Sequence, residues 1–338
     1  GIYCCFVGGY GSDEDTLPMI YVFEAKLADG RFVSSRFTGY PIPEIGLGFL
    51  AYYLGSWATN LSTYFFFIAS IIIIFFSYSK KIELHKFGLF LLICLSNQTL
   101  FFDNLEPMDY SWALIFFSLG IFFFSKKYRE LALLMFGFAV GARLNFLLFC
   151  FAFLVSYELP LVRNLRQKII YCSIVFVIGG LFYLPIWYHF SFSLEWLTAA
   201  RPLGQGIFGL LSRFTYKFWV AFGLIQLIIF IFLMIKTRKT PLITNLNFTL
   251  IIAVNLALFF YIPAELSYLQ PALIFLYLLI VKYFSTKIIS LFIILNLASW
   301  ILNFDIVEIN HKNNEICAPK EAISAKIYFN LKPGAVKN

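Results

Sequence analysis

Apolar runs of membrane-spanning length recur along most of the chain, separated by short polar loops. A helix that crosses a bilayer needs about 17–25 mostly apolar residues. Runs near that length are expected at Leu61–Ser77, Phe87–Phe102, Met108–Phe124, Ile169–Tyr188, Phe218–Ile235, Ile243–Tyr261, Leu269–Val281 and Ile288–Phe304. Two stretches are ambiguous by length. Pro43–Trp57 is short and opens on a proline, whereas Leu131–Tyr157 is long and interrupted by Gly141-Ala142-Arg143.

Loop charge resolves both, because short cytoplasmic loops collect Lys and Arg. The groups Lys80/Lys81/Lys86, Lys126/Lys127/Arg129, Arg163/Arg166/Lys168, Lys236/Arg238/Lys239 and Lys282/Lys287 hold 14 of the 26 basic residues and only three of the 18 acids, Glu83, Glu130 and Glu158. The other acids fall in the alternate loops. The alternation holds only if Pro43–Trp57 lies along the interface and Leu131–Tyr157 crosses twice as a hairpin turning at Gly141–Arg143. With a first segment read as cut short, this predicts an all-α polytopic membrane protein of about 11 transmembrane helices. Residues 1–304 form the membrane domain, whose first outer loop, 11–60, carries interfacial helices. Residues 305–338 form a short outward-facing tail.

Composition fits this class. Of 338 residues 61% are hydrophobic and 13% charged, and the mean hydropathy is +0.82, too apolar for a soluble domain. The formal net charge of +8 collects in alternate loops, which marks topology and argues against a nucleic-acid partner. Cysteines at 4, 5, 94, 150, 172 and 317 show no C-x-x-C or metal-ligand spacing and read as small apolar fillers. Richness in Phe, Ile, Lys and Asn suits an AT-rich bacterial genome. The expected location is therefore the bacterial inner (plasma) membrane, with the acidic loops on the periplasmic or extracellular face.

Chemistry is concentrated in those acidic loops. Asp13-Glu14-Asp15 follows the first apolar segment; a solvated helix end is the simple reading, and a carboxylate held at headgroup depth the functional one. Asp103, Glu106 and Asp109 crowd the second loop, and Asp109 also suits a first-turn helix acid. Arg143 sits inside an apolar stretch, where a guanidinium either snorkels or meets a cavity, a carboxylate or a phosphate. The loop between Tyr188 and Phe218 mixes Arg201, Arg213 and Lys217 with aromatics and reads as an interfacial helix with glycine hinges. Glu265 and Tyr268 open a late helix.

In their order these features resemble the GT-C superfamily of integral-membrane glycosyltransferases, most closely its bacterial polyprenyl-phosphate-sugar-dependent, protein mannosyltransferase-like branch. The likeness rests on DEDTLPMIYVFEAKLADGRFVSSRFTGYPIPEIGLGFLAYYLG at 13–55, EPMDYSWALIFFSLGIFF at 106–123, GFAVGARLNFLL at 137–148 and PAELSYLQPALIFLYLL at 263–279. The resemblance implies that Asp15 is the catalytic base, with Asp13 and Glu14 as alternates. It makes Asp109, Glu106 or Asp103 the second-loop acid and places Arg143 and Glu265 at the donor phosphate or the cavity rim. The chain departs from the family pattern in having Pro41-Ile42-Pro43 where adjacent prolines are usual, and in its short tail.

The chemistry implied is a single inverting displacement. The donor is a polyprenyl-phosphate-linked sugar embedded among membrane lipids, and the acceptor is a hydroxyl on a lipid, glycan or protein. The leaving phosphate needs charge stabilisation from Arg143, Arg201 or Arg213, or from a divalent cation such as Mg or Mn; Tyr268 would line the rim. One base suffices, unlike the carboxylate pair of a retaining glycosidase. A transporter or lipid-linked glycan flippase is the rival reading, which predicts discontinuous or charged helices at mid-membrane.

Overall fold

The structure is a computed structural model describing residues 2–7, 9–10, 16–29, 35, 39–78, 83–157, 165–189, 207–236, 246–261 and 266–301. Every regular element among them is helical. The α-helices are α1 (Ile2–Val7), α2 (Thr16–Asp29), α3 (Pro41–Leu54), α4 (Ser56–Tyr78), α5 (Leu84–Ser96), α6 (Gln98–Phe102), α7 (Asp109–Ser125), α8 (Arg129–Ala142), α9 (Phe146–Ser156), α10 (Leu165–His189), α11 (Ile207–Phe222), α12 (Leu224–Lys236), α13 (Leu246–Tyr261), α14 (Gln270–Tyr283) and α15 (Thr286–Ile301); a 3-10 turn, Leu266–Leu269, leads into α14.

Three helical stretches, Ser56–Tyr78, Leu165–Tyr188 and Leu266–Tyr283, are long and apolar enough to cross a membrane. A fourth candidate is the pair Phe214–Phe222 and Leu224–Ile235, bent by 87°. Among the described residues, the expected run of about eleven crossings is therefore met at full length by three or four helices. Five other apolar runs appear as helices of 10–17 residues. Pro43–Trp57, expected as one interfacial helix, divides at Gly55 (φ +83°): it lies in α3 up to Leu54, and Ser56 and Trp57 open α4. Leu131–Tyr157 is a pair, α8 and α9, broken at Arg143.

α7 packs between α4 and α8, and α8 in turn packs against α10. α14 is buried along nearly its whole length. Phenylalanine fills the middle: Phe117 meets Phe136, Phe146, Phe149 and Phe275 with ring centroids 5.8–6.5 Å apart. Between helices in lipid there is little hydrophobic driving force, so close packing carries the association. At the α8–α10 contact Gly137 lies against Ile178, and Gly179 lies against Val140. A Cβ on either glycine would come within 2.4 Å of the opposite side chain, so small residues let the two helices approach.

The expected spans Phe87–Phe102 and Phe218–Ile235 are both interrupted. Asn97 ends α5 and caps α6, accepting from Leu100 N at 2.9 Å. Gly223, at φ +91°, ends α11. A broken helix frees carbonyls that lipid cannot satisfy, and here neighbouring side chains take them. Asn97 Nδ2 donates to Ala221 O (2.7 Å) and to the Tyr277 hydroxyl (2.9 Å). Asn296 of α15 donates to Ile93 O (3.1 Å), and Trp300 Nε1 donates to Ser96 O (2.7 Å). Gln226 donates to Asn296 Oδ1 at 3.0 Å. Two breaks and two intact helices are thus joined by uncharged polar groups.

Candidate functional site

At the end of the bundle where α7 begins and α8 ends, one ion pair is sealed from solvent. α8 stops at Arg143, whose extended backbone (φ −156°, ψ 118°) turns the chain into α9. Asp109 stands in the first turn of α7, where the helix dipole favours an anion. Arg143 Nη1 donates to Asp109 Oδ2 at 2.5 Å, with side-chain exposures of 3% and 0%. Arg143 Nη2 donates to the Tyr110 hydroxyl at 2.6 Å.

Aromatic rings enclose the guanidinium. Its central carbon lies 3.5 Å from the Tyr110 ring centroid, 4.6 Å from Tyr268 and 5.3 Å from Tyr40. Such cation–ring contacts are worth about 2 kcal/mol or more when desolvated. An arginine keeps its charge in any protein environment, so the carboxylate and the rings take the place of its water shell. Tyr183 of α10, which donates to Val140 O at 3.1 Å, lies near enough to feel the charges of Asp109, Arg143 and Glu44.

Glu44 is the second buried acid of this cluster, with 1% of its surface exposed. Its Oε1 accepts from Ser35 N and Tyr40 N, each at 3.0 Å, and from the Ser35 hydroxyl. Pro41 and Pro43 suit the first turn of α3 because they bring no amide that would need a partner there. The carboxylate reaches back to hold the entering chain, which places the Tyr40 ring beside Arg143. Met19, Tyr40, Leu47, Met108 and Tyr110 form a small apolar cluster over the pair, with Trp112 and Tyr268 packed against it.

Of the second-loop acids, Asp109 enters the cluster, whereas Glu106 and Asp103 remain half-buried in the loop. Asp103 follows α6, its backbone N–H donating to Thr99 O. Ser111 and Asn104 bond each other, and Asn104 donates to Leu100 O at 2.7 Å, so the second loop is tied at both ends. Tyr268, expected at a cavity rim, is half-buried against Tyr110 with centroids 5.6 Å apart. Arg143, expected at the donor phosphate, here has its guanidinium committed to Asp109 and Tyr110.

Asp13, Glu14, Asp15, Arg201 and Glu265 lie outside the described residues, as does the side chain of Arg213. Among the described residues no three His, Cys, Asp or Glu side chains approach closely enough to hold a metal ion. Sequence reasoning did not single out Tyr40, Glu44, Tyr110 or Tyr183 for this site. A signal existed for Glu44 alone: an acid directly after Pro-Ile-Pro at the mouth of an apolar helix. The chain has no match among family models, curated proteins or solved structures.

Proposed function

We propose that this protein is an inverting integral-membrane glycosyltransferase that moves a sugar from a polyprenyl-phosphate donor to an acceptor hydroxyl. The observation that carries the reading is convergence. Tyr40 and Glu44 near the first acidic loop, Asp109 and Tyr110 of the second, Arg143 of the hairpin and Tyr268 of the late turn meet at one end of a helical bundle. That is how a site fed by a lipid-borne donor and a water-borne acceptor is assembled from distant segments. The proposed setting is a bacterial inner membrane crossed about eleven times, with this end facing the periplasm or exterior.

In the proposed reaction Asp15 takes the proton from the acceptor hydroxyl as its oxygen attacks the anomeric carbon. The carbon–oxygen bond to phosphate breaks on the opposite face, and polyprenyl phosphate leaves as an anion. Arg143 has two stations in this scheme. While paired with Asp109 it holds the α8–α9 turn in place, and it exchanges that carboxylate for the donor phosphate when substrate enters, since its planar fork fits either anion. A divalent cation such as Mg or Mn would serve the same charge.

Polyprenyl phosphate released from radiolabelled lipid-linked sugars by the purified protein measures this activity. Asp15→Asn should abolish release while leaving expression and thermal unfolding unchanged. Full release by Asp15→Asn shifts the base to Asp13 or Glu14, and full release by all three variants ends the proposal.

One observation favours a second reading, a transporter or lipid-linked glycan flippase. Helices broken within apolar runs, as at Asn97 and Gly223, are a device of transport proteins. Movement of a lipid-linked sugar between leaflets of proteoliposomes without polyprenyl phosphate release would decide for it.

A further inference from the structure

The opposite end of the bundle carries a feature that the proposed reaction does not use. α9 has 11 residues and stands between α10, with 25, and α13, with 16. Two apolar grooves flank it. One, of about 460 Å³, runs between α9 and α10 over Cys172, Ile169, Phe176 and Val177. The other, of about 470 Å³, runs between α9 and α13 over Leu250, Val254 and Ala257. Phe151 and Val155 line both, so they form a ridge dividing two adjoining channels.

Charge marks one end. Lys168, in the wall of the first groove, is 8% exposed. Among the described residues its one hydrogen bond goes from Nζ to Val155 O at 2.6 Å, at the foot of the ridge. An ammonium carries three donors, so its capacity is unspent. Arg166 is exposed two residues away, and Arg129 is half-buried nearby, donating to the Tyr171 hydroxyl at 2.9 Å. Basic pockets between membrane helices at their Lys/Arg-rich end suit lipid phosphates.

We propose that a two-chain anionic phospholipid straddles α9, with one acyl chain in each groove and its phosphate on Lys168. The ridge of Phe151 and Val155 separates the two chains, and the basic end of α10 receives the headgroup. The occupant is committed by two complementarities together: paired apolar channels match paired chains, and a buried cation bonded to Val155, which lines both channels, matches an anionic head. This site is independent of the proposed sugar transfer, which lies at the acidic end.

Native mass spectrometry of the full chain in detergent, titrated with phosphatidylglycerol, phosphatidylcholine and lyso-phosphatidylglycerol, tests it. Phosphatidylglycerol should be retained over phosphatidylcholine. Lys168→Gln should lower that retention about fivefold, the value of one cation near an anionic headgroup. Ala257→Phe, which fills one groove, and Val177→Trp, which fills the other, should each cut retention of the two-chain lipid and leave the lyso lipid bound. These two variants leave Lys168 in place, so they carry the test even if Lys168→Gln fails to fold. Equal retention of the charged and neutral lipids by the unaltered chain would overturn the proposal. So would displacement of the lipid by inorganic phosphate, or groove-filling variants that hold the two-chain lipid as before.

Discussion

Replacing Asp109 by Asn keeps the outline of the buried pair and removes its negative partner, leaving Arg143 charged among tyrosine rings. Breaking a buried pair from one side typically costs about 3–5 kcal/mol, whereas replacing both members with apolar residues is far milder. Asp109→Asn should therefore unfold at lower temperature than the double variant Asp109→Leu/Arg143→Met, by thermal unfolding of the purified protein in detergent. The opposite order would mean that the surrounding tyrosines satisfy the Arg143 charge without its carboxylate. In the sequence Asp109 and Arg143 each stood out, the first as one acid too many in a short loop and the second as a charge inside an apolar run. Their pairing was not legible, because 34 residues part them and nothing local specifies which carboxylate meets which guanidinium. The tyrosines were hidden for a further reason. An aromatic residue near a helix end is ordinary in a membrane protein, and only its contact with Arg143 distinguishes it.

Among elements, hydropathy located the long helices α4 and α10 within a few residues of their expected bounds, and the Gly141–Arg143 interruption announced the α8–α9 hairpin. It missed the breaks at Asn97 and Gly223, because a window average does not register one polar side chain or one glycine within a run of Phe, Ile and Leu. Gly223 is specified by geometry: at φ +91° an L side chain is strained, and a Cβ there would fall on the Gln226 amide. The α8–α10 seam allows a matched comparison between two adjacent glycines. Gly179 faces Val140 across the seam, while a Cβ on Gly180 would meet nothing within 4 Å. Gly179→Leu should overpack the seam and lose about 1–3 kcal/mol, and Gly180→Leu should behave as the unaltered chain. Yields of monodisperse protein and midpoints of thermal unfolding give the comparison, and equal loss in both variants would remove the seam as the cause.

For the whole molecule, the alternation of basic and acidic loops predicts opposite sides of the membrane for the Lys80–Lys86 segment and the neighbourhood of Asp29. In a background without native cysteines, a single cysteine near Asp29 should react with an impermeant thiol reagent in intact cells. One within Lys80–Lys86 should react only after permeabilisation. Equal labelling would overturn the arrangement. Helix length has its own consequence for the surrounding lipid. α5 and α9 have 13 and 11 residues, or about 17–20 Å at 1.5 Å per residue, against a hydrocarbon thickness of about 30 Å. If helices this short cross on their own, the bilayer beside them thins or flanking side chains reach out to it, and membranes built from long, stiff chains would be the least hospitable solvent for this protein.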